Sequence, residues 1–222
     1  MGAALGIIFG GLITIATAMG VEYFRRPQLA LVIENPACDL TYTPQHPALN
    51  ARYLRVKLRN AALPPGLRWM QRAAALQCRG EITFHHLDGQ NIFGRQMAVR
   101  WANSPQPIAS QIVDTHGVVQ YAILDFARMA TAVRMDVYPG EEEIVDVAVR
   151  LDNEQDCYGW NDEAYIHQWR NPNWKLSRGR YLVRVAITSS GHKCVGCFRL
   201  INDVDNRTDF RLEPAKAEDK TT

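Results

Sequence analysis

Cys194-Val-Gly-Cys197, with His192 two residues before it, has the spacing of half a zinc site or of a redox pair. A tetrahedral zinc needs four ligands, and no second Cys-x-x-Cys or His-x-His is present. Cys38, Cys78, Cys157, His85, His86 or His167 would have to complete the shell from elsewhere in the fold. The plainer assignment makes 189–195 a hairpin loop and Cys197 the start of a strand, a small apolar side chain. His85 and His86 are adjacent in a strand pattern, so their rings point to opposite faces and cannot chelate one ion. The acidic runs at 141–143, 152–156 and 203–206 read as solvated turns, and the last has neither the Gly nor the distal Glu of an EF-hand loop. No nucleophile elbow, His-Glu-x-x-His helix, P-loop or dinucleotide fingerprint occurs. The sequence therefore names no catalytic residue and implies no cofactor.

A second kind of chemistry is recognition. The stretch from Tyr158 to Trp174 holds Trp160, Trp169 and Trp174, three of the five tryptophans. Large rings beside Asn, Asp, His and Arg suit contact with a protein or with stacked sugars, and Trp160, Tyr165, Trp169 and Arg170 are the candidate partner-binding residues. The competing assignment makes the tryptophans plugs at the end of the folded domain, packed near Pro64-Pro65. Trp174 is expected to behave as core and Trp169 to be the more exposed.

These residues must be positioned by strands. In Arg52 to Arg59, Leu54, Val56 and Leu58 alternate with Arg55, Lys57 and Arg59, the pattern of a strand with one wet face. Similar runs occur at 29–34, 81–85, 96–101, 144–151, 181–188, 197–202 and 210–212, with turn chemistry at Asp88-Gly89 and Pro139-Gly140. A short helix is expected over 67–77, and 118–129 fits neither period. Many short strands with little helix predict a mainly β chain, two antiparallel sheets packed face to face.

Leu176-Ser-Arg-Gly-Arg-Tyr-Leu-Val-Arg-Val185 resembles the stretch that opens the penultimate strand of fibronectin type III and immunoglobulin-like sandwiches. That resemblance implies that Tyr181 pins the sheet corner by its hydroxyl, that Val183 and Val185 face inward, and that 197–202 is the closing strand. Val56 to Asn60, 74–78 and 82–84 are similar to the second and third strands, interrupted by the insertion 61–73. The expected fold is a single enlarged sandwich over 27–213, with a polar tail at 214–222.

Ahead of it, Gly2 to Val21 carries no charge, and at about 1.5 Å per residue it reaches roughly 30 Å, the thickness of a hydrocarbon core. One transmembrane helix is expected over 2–24, with the lipid bilayer as its partner. Tyr23 and Phe24 suit the interface, and Arg25 and Arg26 place the basic side, and with it the folded domain, in the cytosol with the N-terminus outside. A cleaved signal peptide is the rival, but no basic n-region exists. Gly2, Gly6 and Gly10 recur every four residues and offer a helix-helix contact in the membrane.

Lys and Arg number 25 against 23 Asp and Glu, a balance that gives no reason to expect a nucleic-acid partner. Charged residues at 22% with 47% hydrophobic residues exclude a disordered chain. The expectation is a single-pass membrane protein whose sandwich binds another protein, as an accessory subunit of a membrane assembly or in a homo-oligomer. The alternatives are an exported sugar-binding sandwich, and a metal- or redox-dependent protein using Cys194 and Cys197.

Overall fold

In the computed structural model, residues 2–40, 50–115, 119–130, 133–152 and 154–216 are described, those at 2–9, 68, 113, 119–121 and 130 for their backbone alone. Helix α1 (Gly2–Arg25) leads through Pro27 into β1 (Leu29–Ile33), β2 (Cys38–Leu40) and β3 (Ala51–Asn60). A 3₁₀ turn, Pro65–Met70, precedes β4 (Ala75–His85) and the short β5 (Met97–Ala98) and β6 (Arg100–Trp101). The hairpin β7 (Ile108–Val113) and β8 (Val119–Leu124) is followed by α2 (Phe126–Ala130), β9 (Met135–Val137), β10 (Glu142–Leu151) and β11 (Cys157–Gly159). Two 3₁₀ turns, Asp162–His167 and Pro172–Trp174, lead to β12 (Lys175–Leu176), β13 (Arg180–Ser189), β14 (His192–Ile201) and β15 (Arg211–Pro214).

The chain is mainly β and its sheets are antiparallel. One sheet runs β1-β3-β10-β11-β12 with β2 on β3 and β6 on β10; the other runs β15-β14-β13-β4-β5 with β9 on β4. Leu54, Val56 and Leu58 of β3 share one core with Ile82 and Phe84 of β4 and Val183, Val185 and Ile187 of β13. That interleaving of two inner faces is what the period-two alternation encodes.

A bulge in β10 has a consequence for function. The register with β3 runs Asp146 to Arg55 and then Ala148 to Leu54, so one residue is inserted. Beyond it the alternation reverses. Val147 and Ala148 both join the inner core, while Val149 and Leu151 turn to the outer face with Tyr53 and Ala51. This creates an apolar patch outside the sandwich, and the segment after β11 folds over it. Arg150 turns the other way and closes the sandwich end, donating to Asn202 Oδ1 at 3.2 Å, Val204 O at 2.9 Å, Asp205 O at 3.1 Å and Glu154 O at 3.0 Å.

Among the described residues no helix is long and apolar enough to cross a membrane, so the expected spanning helix over 2–24 is not supported. Toward its C-terminal end α1 carries Glu22 and Arg25. Gly10 has no neighbour within 4 Å of an added Cβ, and the side chains at Gly2 and Gly6 lie outside the described residues.

The helix expected over 67–77 is a 3₁₀ turn followed by extended chain. Pro64-Pro65 starts the turn, but Arg72 Nη1 then donates to Arg26 O at 2.7 Å and Ala73 N–H to Arg25 O at 2.6 Å, pulling the chain straight against the end of α1. Residues 74–78 and 81–85, read as two runs, form the single strand β4, with a register shift between Ala75 and Cys78 and Gln77 at φ 54°. The run at 96–101 splits, β5 joining one sheet and β6 the other. The ambiguous 118–129 resolves into β8 and α2, with residue 118 outside the described residues. Of the polar tail, β15 takes Pro214, and 217–222 lie outside the described residues.

Tyr181 Oη donates to Ser177 O at 2.8 Å, the corner bond that the flanking motif implied. Gly179 lies under its ring, where a Cβ would meet Oη at 3.2 Å. Tyr181→Phe should therefore lower unfolding stability by about 1 kcal/mol, read as a shift of a urea transition; an unchanged midpoint would show that the bond only replaces one to water.

Candidate functional site

The candidate residues of the aromatic segment lie over the patch made by the β10 bulge. Trp160 is 3% exposed and meets Tyr53 edge to face at 5.1 Å, Tyr165 at 5.6 Å and Trp169 at 6.0 Å. It packs rather than presenting a surface, while Tyr165, Trp169 and Arg170 are half-buried around it. Arg170 Nε is 2.6 Å from Glu154 Oε1, whose other oxygen accepts from Tyr158 Oη at 3.2 Å. Trp174 is also 3% exposed; its Nε1 donates to Glu163 Oε2 at 3.2 Å, and Phe93 packs on it at 5.1 Å. Trp160 and Trp174 therefore leave no open ring face on which a sugar could stack.

Electrostatics tie this segment down. Asp146, turned outward just before the bulge, lies 2.6 Å from Arg55 Nε and 3.9 Å from Arg100 Nε. Arg100 also reaches Asp162 Oδ1 at 2.9 Å, donates to Ser104 O at 3.0 Å, and lies over the Tyr165 ring at 5.5 Å. Burial pushes the Asp146 and Asp162 carboxyls up, against the guanidinium groups that pull them down. The network spans β3, β10, β6 and the 3₁₀ turn, so it joins the covering segment to the sheet. It is structural, because its charges satisfy each other and its central carboxylate is 2% exposed.

Cys194 and Cys197 lie on β14, three residues apart in extended chain, so their side chains face opposite sides of the sheet. Cys194 Sγ is 3.4 Å from Leu29 O across the sandwich, whereas Cys197 is opposite Arg184, on the outer face. His192 is at the head of β14, its Nδ1 3.1 Å from Ser190 O. Among the described residues no group of three His, Cys, Asp or Glu side chains could hold a metal ion. All five cysteines are free. Burial raises the Cys78 thiol to about 11 and pushes those of Cys157 and Cys194 up, which keeps them protonated and poor nucleophiles.

The largest exposed apolar groups lie elsewhere, on three elements that sequence patterning did not single out together. Along α1, Leu12, Ile13, Ile15 and Met19 are each more than half exposed. At its base Tyr23 (65%) and Phe24 (46%) are joined by Trp69 (76%), which the Pro65–Met70 turn brings beside the helix. The third element is the β7-β8 hairpin, whose strands, among the described residues, pair only with each other and expose Ile112 and Ile123 (59% each), with Phe126 (66%) just after it. The signal for Trp69 was available in Pro64-Pro65-Gly66, which predicts a turn that holds the next side chains out in solvent rather than burying them. The hairpin was masked by the mixed periodicity of 118–129.

Polar chemistry collects on the outer face of the six-stranded sheet. A groove of about 550 Å³ is lined by Glu81, Thr83 and His85 of β4, Arg184 of β13, Lys193 of β14 and Arg95 of the β4-β5 connection. His85 Nδ1 is 2.9 Å from Gly89 O, which only accepts, so that nitrogen carries the proton and Nε2 accepts from Thr83 Oγ1 at 2.8 Å. Comparison with protein-family models, with curated proteins and with solved structures gives no match.

Proposed function

We propose that this chain is a protein-interaction module without catalytic chemistry of its own, an immunoglobulin-like sandwich held at a membrane by α1. The observation that carries the reading is the β7-β8 hairpin, which stands off both sheets and exposes Ile112, Ile123 and Phe126. An isolated two-stranded hairpin is marginally stable in water, and its apolar side chains gain about 25 cal/mol for each Å² that a partner covers. The sandwich itself packs its apolar residues into an inner core and the outer cluster around Trp160.

The membrane assignment rests on α1. Leu12, Ile15 and Met19 follow the i, i+3, i+7 spacing of one helix face, with Ile13 about 100° round from them, an exposed apolar face that a bilayer surface would cover. Tyr23, Phe24 and Trp69 form a collar where the interface would lie, with Arg25 and Arg26 just beyond it on the domain side. Two arginines beside the collar and five free thiols favour a cytosolic domain.

A photo-crosslinking side chain placed at Ile123 should give one discrete protein adduct in intact cells, while the same group at Lys175, on the far edge strand, should give none. With the crosslinker kept at position 123, an Ile112→Asp, Phe126→Asp double change should abolish that adduct and leave the melt within about 0.5 kcal/mol, as for a surface change. Adducts of equal yield at both positions would refute the module reading. Full-length protein recovered in the soluble fraction of lysed cells rather than with the membranes would refute the membrane location.

A further inference from the structure

We propose that the groove on the outer face of the six-stranded sheet binds an acidic peptide segment in extended conformation; this rests on reading the chain as an interaction module and names the chemistry of one ligand. The signal is a contrast in how this protein uses its cations. Elsewhere many arginines have carboxylate partners: Arg52 bonds Asp39, Arg55 and Arg100 bond Asp146, Arg170 bonds Glu154, Arg180 bonds Asp203 and Arg207 bonds Asp152. In the groove Arg184 and Lys193 are exposed and, among the described residues, neither has a carboxylate within ion-pair distance. Arg95 is stacked on Trp174 at 4.6 Å, which holds its guanidinium in place without neutralising it. Three cations therefore face the groove against one carboxylate, Glu81.

Their spacing selects the ligand. Arg184 is opposite both Thr83 and Cys197, and Lys193 is opposite Thr188. Lys193 is thus four residues along β14 from the position level with Arg184, about 13 to 14 Å at the rise of a strand. An extended peptide places carboxylates of residues i and i+4 at that same separation, whereas one phosphate group would need both side chains stretched toward each other. Between the cations the floor offers the Thr83 hydroxyl oxygen, and the wall offers the Gln96 amide for a peptide backbone.

The wall is already built. His86 N–H donates to Gln90 O at 2.9 Å, Gln90 N–H to Asp88 Oδ1 at 2.9 Å and Ile92 N–H to Phe84 O at 2.9 Å, while Asn91 Oδ1 accepts from Phe93 and Gly94 N–H, each at 3.1 Å. Gly89 at φ 90° and Gly94 at φ 62° permit those turns. His85, bonded at both ring nitrogens, fastens the connection to the floor. A groove rigid before binding spends little free energy on ordering.

The experiment titrates the full-length chain in a non-ionic detergent with a fluorescein-labelled octaglutamate peptide. Anisotropy should show saturable binding that weakens at least tenfold between 50 and 300 mM salt, as charge-dominated contacts do. Arg184→Gln with Lys193→Gln should weaken it a further tenfold or more with an unchanged melt, and Lys175→Gln, outside the groove's lining, should leave it unchanged. Glu81→Gln should tighten it, an outcome that a merely destabilised groove would not give. Absence of binding, or binding indifferent to the groove changes, overturns the proposal, as does selective loss of binding to phosphatidylserine vesicles when octaglutamate is indifferent. The crosslink at Ile123 persists if this groove is misassigned and disappears if the module reading itself fails, so the two failures are separable.

Discussion

Asp146→Ala is expected to lower unfolding stability by about 3 kcal/mol or more, far beyond an ordinary surface change, because it leaves two guanidinium groups facing each other under the covering segment. Asp146 is 2% exposed and Arg100 5%, with Arg55 Nε at 2.6 Å and Arg100 Nε at 3.9 Å from the carboxylate. Arg100 keeps Asp162 and the Ser104 carbonyl, and the Arg55 side chain is partly wet, so the loss should fall toward the lower end of the 3 to 5 kcal/mol range for broken buried pairs. The exposed pair of Lys57 and Glu142, on the same sheet face at 3.6 Å, is the internal comparison. Lys57→Ala should cost less than about 1 kcal/mol, since solvent screens it. Urea unfolding of the full-length chain in detergent measures both. Equal costs at Asp146 and Lys57 would mean that water reaches the network, and that the aromatic segment is not held by it.

That network shows which features a linear pattern can and cannot carry. Leu54, Val56 and Leu58 announce their strand because burial on one face forces period two, and 181–188 and 144–151 were legible for the same reason. The corner tyrosine was legible because its bond to Ser177 is local in sequence. The β10 bulge was not, since Val145, Val147, Val149 and Leu151 alternate as in a regular strand, and one inserted residue reverses the facing without changing composition. The outer apolar patch follows from that bulge, so sequence reading could not decide whether Trp160 covers a patch or offers a ring. Helix propensity misled at 67–77 because hydrogen bonds from Arg72 and Ala73 to the end of α1 override it. The groove was least legible of all: Arg95, Arg184 and Lys193 come from a loop and two strands, and only the register of β13 on β14 sets their spacing.

The three tryptophans of 160–174 should separate by burial and backbone, and here the expected differences are large enough to measure one residue at a time. Trp174→Ala is expected to cost about 3 to 5 kcal/mol, the range for emptying a large buried ring. The loss combines its packing on Phe93, the stacked Arg95, and an indole bond to Glu163 that leaves Oε2 serving Asn171 alone. Gly159 makes the same point from the other side, because a Cβ there would come within 3.1 Å of the Trp174 Cβ and 2.9 Å of Met97 Sδ. Trp169 is different. It is half-buried, and its backbone is in the left-handed region at φ 73°, next to Gln168 at φ 49°. A bulky residue there carries roughly 1 kcal/mol or more of strain, which glycine does not. Trp169→Gly should therefore be as stable as Trp169→Ala or more so by about 0.5 to 1 kcal/mol, reversing the order that glycine and alanine show in ordinary extended or helical chain. The strain is held by Trp169 N–H on Ala164 O at 2.8 Å and Arg170 N–H on His167 O at 3.0 Å, which fix the turn whatever side chain it carries. If the ring serves a partner, both variants should lose about 2 kcal/mol of association while remaining folded, as anchor residues do. If it serves only the Trp160 cluster, association at the Ile123 crosslink should persist in both, and the alanine variant alone should carry the larger loss of stability.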